Sequence, residues 1–260
     1  MQCAYPLKAW PDGMHESGKP KYKITGYSVK SYNGMTDFQE IPCGKCLPCR
    51  LNKSRDWSLR CMLEATYHED NYYLTLTYDD DHLTREELLD PITGEIYPAP
   101  LCTLVKKDMQ DFWKRLRRRT GQDIRYLMCG EYGDKGHRPH YHAIVFGLKL
   151  TDLEIYKQNF QGDLLYTSFF LDSVWKKGFV VVGDVTISSC NYVARYVTKK
   201  LYGKLGERAY DDNGIVPPYN AASNRPGLAY QFYLDNKDKI GMYDSIVLAT
   251  DSGGKLFKPP

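Results

Sequence analysis

The chain has 260 residues, of which 42% are hydrophobic and 26% charged, with a formal net charge of +3. This length predicts one large domain with extensions. No run approaches the roughly 18 continuous apolar residues of a membrane span, and the N-terminus lacks the apolar core of a signal peptide, so we expect a soluble, cytoplasmic protein with reduced cysteines. The net charge is too small to indicate a nucleic-acid partner by itself.

The first chemical signal is a run of three cysteines at two-residue gaps, Cys43, Cys46 and Cys49. Thiolates at this spacing can surround one soft ion, and zinc with four sulfur ligands is its usual occupant. A structural zinc site needs a fourth ligand, and the candidates in order of preference are Cys3, Cys61 and His15. The alternatives are a loop of reduced cysteines and, less favoured, a redox dithiol.

A basic helix is predicted from Arg50, because Trp57, Cys61 and Ala65 recur at four-residue spacing. Its arginines and lysines are either a solvated face or contacts for phosphate groups. A strand follows at Tyr72–Tyr78, which has β-branched, aromatic and aliphatic content.

Alternate side chains of that strand share one face, which places Thr75 and Thr77 together with Tyr73. Residues 83–102 are rich in turn-forming residues and are predicted to be an excursion between elements. Next, an apolar stripe at helical spacing predicts a helix that ends at Gly121. The cations of this helix either complement its dipole or bind nucleic acid, and the candidate DNA contacts among them are Lys114, Arg115 and Arg118.

Two strands joined by a turn-rich loop predict a β-hairpin, in which His140 and His142 point to the same face. In a register that sets Glu131 opposite His140, the carboxylate and both imidazoles share one side of the sheet. Charged groups are rarely buried unless they are paired or bound to a metal, so we predict a divalent-ion site. Zinc, manganese and magnesium all remain candidates for it. The alternative is a strand whose histidines are satisfied by hydrogen bonds alone.

Beyond the hairpin, an interval that includes Trp175 is predicted to be polar and helical. Gly178–Val185 is then predicted to be a strand buried on both faces, leading into a helix at Ser189–Leu201. The remaining chain predicts a helix at about Gly227–Lys237 and a strand at Asp244–Ala249, with no recognisable chemistry.

The Ser189–Leu201 helix carries two tyrosines, Tyr192 and Tyr196, on a face about 100° from its aliphatic stripe. Because that stripe is sufficient for packing, the tyrosines are candidate catalytic residues. Lys199 and Lys200 follow about one turn later, where an ammonium group would offset a tyrosinate or a phosphate oxygen.

These motifs resemble those of the HUH endonucleases, in particular the two-tyrosine replication initiation proteins of gokushovirus-type microviruses. The three motifs that carry the resemblance are Leu74–Thr77, His140-Tyr141-His142 and Tyr192–Lys200. The N-terminal cysteines and the basic helix after them also resemble the phage branch. The motifs together extend over residues 72–200.

The resemblance implies an α+β fold with an RRM/ferredoxin-like core, a central antiparallel sheet and helices packed on one side. It implies a nickase dependent on Mg²⁺ or Mn²⁺ held by His140, His142 and Glu131, in which a tyrosine forms a 5′-phosphotyrosine at the origin of a circular phage genome. The free 3′-hydroxyl then primes rolling-circle replication, and the same protein rejoins the ends. The implied partners are the single-stranded origin and the helicase and polymerase of the bacterial host. DNA contacts are expected from Thr75, Thr77 and Arg138.

The expected domains are an N-terminal extension at 1–70, an endonuclease core at 71–205 and a C-terminal extension at 206–260 packed on the core. Two alternatives stay open. One is an HUH relaxase or transposase with the same chemistry. The other is a non-catalytic, zinc-stabilised protein that binds single-stranded DNA and uses its histidines structurally.

Overall fold

The computed structural model describes residues 2–159, 162–199, 204–240, 242, 245–250 and 253–257. Of residues 196–199 it describes the helical backbone but not the side chains, and Lys200 lies outside the described residues. Two compact units divide the chain, Met1–Lys53 and Ser54–Pro260. None of the described helices combines the length and apolar character needed to cross a bilayer.

The first unit contains a three-stranded antiparallel sheet in the order β2-β1-β3. Its strands are β1 (Leu7–Met14), β2 (Pro20–Thr25) and β3 (Gln39–Ile41). Trp10 is its one large buried side chain among residues 2–53, and the indole Nε1 donates to Thr25 Oγ1 at 2.7 Å. The sequence analysis predicted none of these strands, because the mostly exposed β2 has no apolar alternation.

Helices and further strands follow along the described chain. The helices are α1 (Leu47–Ala65), α2 (Lys106–Thr120), α3 (Phe169–Trp175), α4 (Ile187–Lys199), α5 (Lys204–Asp211) and α6 (Tyr230–Ile240). The strands are β4 (Asn71–Thr77), β5 (Glu87–Leu89), β6 (Ile96–Pro98), β7 (Arg125–Tyr132), β8 (Pro139–Phe146), β9 (Leu153–Gln158), β10 (Leu164–Ser168), β11 (Val180–Asp184), β12 (Tyr219–Ala222), β13 (Ile246–Thr250) and β14 (Gly253–Phe257).

A seven-stranded antiparallel sheet, in the order β12-β7-β8-β4-β11-β10-β9, forms the centre of the second unit as the structure describes it. The predicted hairpin is confirmed as β7 and β8, and β8 pairs with β4 on its other side. The predicted helical interval before Gly178 is wrong in part, since β9 and β10 occupy much of it. β9 is an exposed edge strand, so pairing with β10 rather than apolar burial defines it.

One face of this sheet packs against α2 and α3. Tyr141 of β8 contributes to this core together with Phe112 of α2 and Trp175 of α3, and all three are fully buried. The predicted end of α2 is confirmed, because Gly121 adopts a left-handed conformation (φ 66°) and donates its N–H to Arg117 O.

The opposite face packs against α1 and α4. Cys61 of α1 and Val193 of α4 are fully buried there with Leu127 of β7 and Ile144 of β8. Helices therefore cover both faces of the sheet, and the expectation of helices on one side is wrong. β11 is also less buried than predicted, since Val181 is only partly buried.

Candidate metal centre and tyrosine helix

Three neighbouring strands bring the predicted ligands to one face of the sheet. The register of β7 and β8 pairs Glu131 with His140 and Cys129 with His142. On the other side of β8, Thr75 and Thr77 of β4 lie opposite His142 and His140. Because β8 is paired on both sides, its two histidines are held by backbone ladders rather than by a loop.

The three side chains converge on one carboxylate oxygen. Glu131 Oε1 lies 3.1 Å from His140 Nε2 and 3.0 Å from His142 Nε2. Glu131 and His142 are buried, with 3% and 5% of their surfaces exposed, whereas His140 is partly exposed. Ligand atoms at right angles around an ion, each about 2.1 Å from it, lie about 3.0 Å apart. The spacing of these three atoms therefore fits a divalent ion.

The hydrogen bond on the far side of His140 supports the same fit. His140 Nδ1 lies 3.1 Å from the carbonyl oxygen of Arg138, which only accepts, so Nδ1 carries a hydrogen. In neutral imidazole the Nε2 lone pair then faces the oxygen of Glu131, an arrangement that requires a proton or a cation between them. Burial alone would raise the pKa of Glu131, but the hydrogen bonds and charges of the two histidines outweigh it and lower that pKa.

Tyr73 and Thr75 of β4 hold the outer nitrogen of His142. Tyr73 Oη lies 2.7 Å from His142 Nδ1, and Thr75 Oγ1 lies 3.0 Å from it. The Tyr73 ring also stacks on the imidazole, with centroids 5.5 Å apart and planes at 10°. Burial raises the pKa of Tyr73, so its hydroxyl stays protonated. The sequence analysis gave Tyr73 no role, although its place two residues before Thr75 on the same face was the available signal.

Tyr73→Phe is expected to weaken metal binding at this site by roughly 10- to 100-fold, because it removes the hydroxyl that orients His142 and keeps the stacked ring. Isothermal titration with Mn²⁺ measures the change. Tyr72→Phe is the matched control, since Tyr72 packs against the core on the opposite face of β4. Equal Mn²⁺ affinities for Tyr73→Phe and the wild type would show that the hydroxyl does not support His142.

α4 begins with a reciprocal capping interaction and places Tyr192 beside the ligands. Thr186 Oγ1 accepts from Ser189 N at 3.1 Å, and Ser189 Oγ accepts from Thr186 N at 2.8 Å. Cys190 and Val193 are fully buried against the sheet, and this packing fixes the rotation of the helix. The face bearing Tyr192 consequently lies next to His142.

The Tyr192 ring meets His142 edge-on, with centroids 5.0 Å apart and planes at 89°. It makes a similar contact with Tyr73 at 6.3 Å and 84°. Aromatic rings favour this geometry, and Tyr192 still exposes 42% of its surface. Tyr196 follows about one helical turn later in α4, but its side chain and that of Lys199 are not described, and Lys200 lies outside the described residues.

The predicted DNA contacts are only partly near this centre. Thr77 Oγ1 donates to Phe179 O at 3.0 Å, and Arg138 binds Asp80 Oδ1 at 2.6 Å and Tyr78 O at 2.7 Å. These bonds tie the hairpin loop and the start of β11 to the end of β4.

The basic residues of α2 lie on the other face of the sheet from the two histidines. Arg115 donates through Nε to Val174 O at 2.8 Å, which stabilises the C-terminal end of α3. Lys114 and Arg118 are exposed. These three residues therefore do not join the metal centre.

A second group of possible metal ligands lies in the first unit. The sulfur atoms of Cys3, Cys43, Cys46 and Cys49 all lie within 4.8 Å of one another. Backbone N–H groups of Ala4 and Cys49 lower the pKa of Cys46 to about 6, whereas burial raises that of Cys49 to about 12. The other candidates for the fourth position were Cys61, which is buried in the second unit, and His15, which is exposed. Neither belongs to this group.

An α+β unit whose central antiparallel strands present two histidines and a glutamate to a tyrosine of an adjacent helix defines the class of site. A sequence profile of the family described as "Replication-associated protein ORF2" matches residues 71–201, which contain all three motifs of that site. The chain belongs to this family of replication-associated proteins.

Three curated relatives agree with this assignment. The chain is 38% identical to "Replication-associated protein ORF2" of Spiroplasma virus 4, over 100% of this chain and 78% of that protein. It is 35% identical to "Replication-associated protein VP4" of Bdellovibrio phage phiMH2K, over 77% of this chain and 59% of that protein. It is 36% identical to "Replication-associated protein ORF4" of Chlamydia phage 1, over 68% and 43% respectively. No solved structure matches the chain.

Proposed function

We propose that this protein is an HUH-type endonuclease that nicks single-stranded phage DNA at a replication origin and initiates rolling-circle replication. The observation that carries the proposal is the contact between Tyr192 and His142, which sets a candidate nucleophile beside the Glu131–His140–His142 group. The relatives support the biological setting, since each is named as a replication-associated protein of a virus or phage.

Glu131, His140 and His142 are the residues that would hold a divalent ion, with Tyr73 and Thr75 orienting His142. A bound Mg²⁺ or Mn²⁺ supplies Lewis-acid activation of the scissile phosphate and leaves coordination positions open for its oxygens. Burial of Glu131 and His142 excludes water from the protein side of this group and strengthens its electrostatic interactions.

The reaction proposed is in-line attack of a tyrosine hydroxyl on phosphorus. A bond forms between the tyrosine oxygen and phosphorus, the bond from phosphorus to the 3′-oxygen breaks, and the phenolic proton is lost as the 3′-oxygen gains one. The ordinary pKa of tyrosine is about 10, so the nucleophile needs help from nearby positive charge. Lys199 and Lys200 are proposed to provide it, on the basis of their place in the sequence after Tyr196.

The covalent product, a 5′-phosphotyrosine, retains the energy of the phosphodiester bond. The free 3′-hydroxyl would prime synthesis by the host polymerase, with a host helicase opening the duplex, and reversal of the attack would rejoin the ends without ATP. Tyr192 and Tyr196 lie about one turn apart in α4, so one could hold the strand while the other cuts the regenerated origin.

Covalent capture of DNA tests the function. The protein is incubated with Mn²⁺ or Mg²⁺ and overlapping single-stranded oligonucleotides that cover the circular genome encoding it. One origin-derived oligonucleotide is expected to give an adduct that resists boiling in detergent, and a chelator is expected to prevent it. DNA binding without an adduct on any oligonucleotide would instead favour a non-catalytic single-strand-binding protein.

A further inference from the structure

Four cysteines in the first unit form a compact sulfur cluster that the proposed nicking reaction does not use. Cys3 precedes β1, Cys43 follows β3, and Cys46 and Cys49 lie at the start of α1. The Cys3 and Cys46 sulfurs are 3.7 Å apart, and those of Cys43 and Cys49 are 4.0 Å apart. A disulfide requires about 2.05 Å, whereas sulfurs at about 2.3 Å around a tetrahedral zinc ion are about 3.8 Å apart. The separations therefore fit the edges of a zinc site.

Backbone donors point at these sulfurs. The N–H groups of Lys45 and Cys46 donate to Cys43 Sγ at 3.5 and 3.3 Å, and the N–H of Cys43 donates to Cys3 Sγ at 3.3 Å. The turn that allows this includes Gly44, whose φ of 72° strongly favours glycine. Hydrogen bonds of this kind stabilise thiolates, which are the form of cysteine that binds metal.

The rest of the first unit has too little core to fold on apolar burial alone. Among residues 2–53, the buried apolar side chains are Ala9, Trp10 and Cys49. Five of the six residues in β2 are exposed. Units of this size usually depend on disulfides, a structural metal or assembly with another chain. All eight cysteines are free thiols in the structure, which leaves the sulfur cluster as the element that can hold the N-terminus, the end of β3 and the start of α1 together.

We propose that Cys3, Cys43, Cys46 and Cys49 bind one structural zinc ion and that the fold of Met1–Lys53 depends on it. The inference is independent of the nicking chemistry, because it concerns other residues in the other unit. Binding to a site that exists only in the folded state contributes directly to folding, so loss of the ion destabilises the strands that the cysteines join.

Metal content is measured first, on full-length protein purified without chelator and carrying His140→Ala and His142→Ala to remove the other site. One zinc per chain is expected by elemental analysis. Cys43→Ser or Cys46→Ser is expected to lower this to below about 0.2 per chain, since each removes a thiolate ligand. Cys102→Ser, which changes a partly buried cysteine outside the cluster, is the matched control and should retain the zinc. Zinc content unchanged by the cluster substitutions would overturn the proposal.

Amide hydrogen exchange then tests the dependence of the fold on the ion. In Cys43→Ser, exchange over residues 7–41 is expected to accelerate at least about tenfold, while β4, β7 and β8 keep their protection. Equal protection of residues 7–41 with and without zinc would refute the folding role. An intact mass lower by four hydrogens would refute the metal site in favour of two disulfides. Both measurements stand whether or not the protein nicks DNA.

Discussion

The double variant Tyr192→Phe, Tyr196→Phe is expected to form no covalent adduct with origin DNA, a loss of more than about a thousandfold in adduct yield. Phenylalanine retains the ring that meets His142 edge-on and removes only the nucleophilic oxygen. The fold and metal binding should therefore be preserved. Adduct yield is measured on denaturing gels with labelled oligonucleotide, and metal binding by titration with Mn²⁺.

The single variants separate the two tyrosines. Tyr192→Phe and Tyr196→Phe are each expected to weaken cleavage without abolishing it, and peptide mapping of each adduct identifies the tyrosine that carries the DNA. Tyr230→Phe is a suitable control, because Tyr230 exposes 46% of its surface against 42% for Tyr192 and lies in α6. A persistent adduct in the double variant would exclude both residues as the nucleophile.

Loss of a metal ligand is expected to have an effect of similar size. His140→Ala and His142→Ala should each lower cleavage by more than about a thousandfold, since the remaining groups cannot position the ion. His142→Ala should also destabilise the fold, because it leaves a cavity against Tyr73 and Tyr192 and removes one partner of the buried Glu131. Removing a partner of a buried charge costs about 3–5 kcal/mol.

Glu131→Gln distinguishes lost chemistry from lost stability. The amide has nearly the volume of the carboxylate and removes its charge, so thermal unfolding should change little while Mn²⁺ binding and cleavage are lost. His137→Asn is the matched control, since His137 is exposed in the hairpin loop and asparagine tolerates its φ of 48°. Normal cleavage by Glu131→Gln would remove Glu131 from the ligand set.

The hairpin was predictable because its two signals act locally. β8 alternates between a face with His140 and His142 and a face with Tyr141, which is fully buried among apolar side chains. The turn-rich loop between β7 and β8 then restricts the register that brings Glu131 opposite His140. The position of α4 was not predictable in the same way, because helical periodicity identifies an apolar stripe but not the strands that it contacts.

Elements defined by pairing rather than burial were missed. β9 is largely exposed and is specified by its neighbour β10, so its sequence carries little apolar alternation. The same holds for β2 in the first unit. Tyr73 was missed for a different reason, since its hydrogen bond to His142 joins residues 69 positions apart in the chain.

The proposed metal ligands and the proposed nucleophile reach each other by unequal routes. Glu131 and His140 are nine positions apart in a single hairpin, so little chain entropy is lost in bringing them together. Tyr192 is brought in by a helix that follows three further strands. A molecule in which α4 has detached would consequently still hold its ion, and inactivation by loss of the tyrosine and inactivation by loss of the metal are physically separate failures.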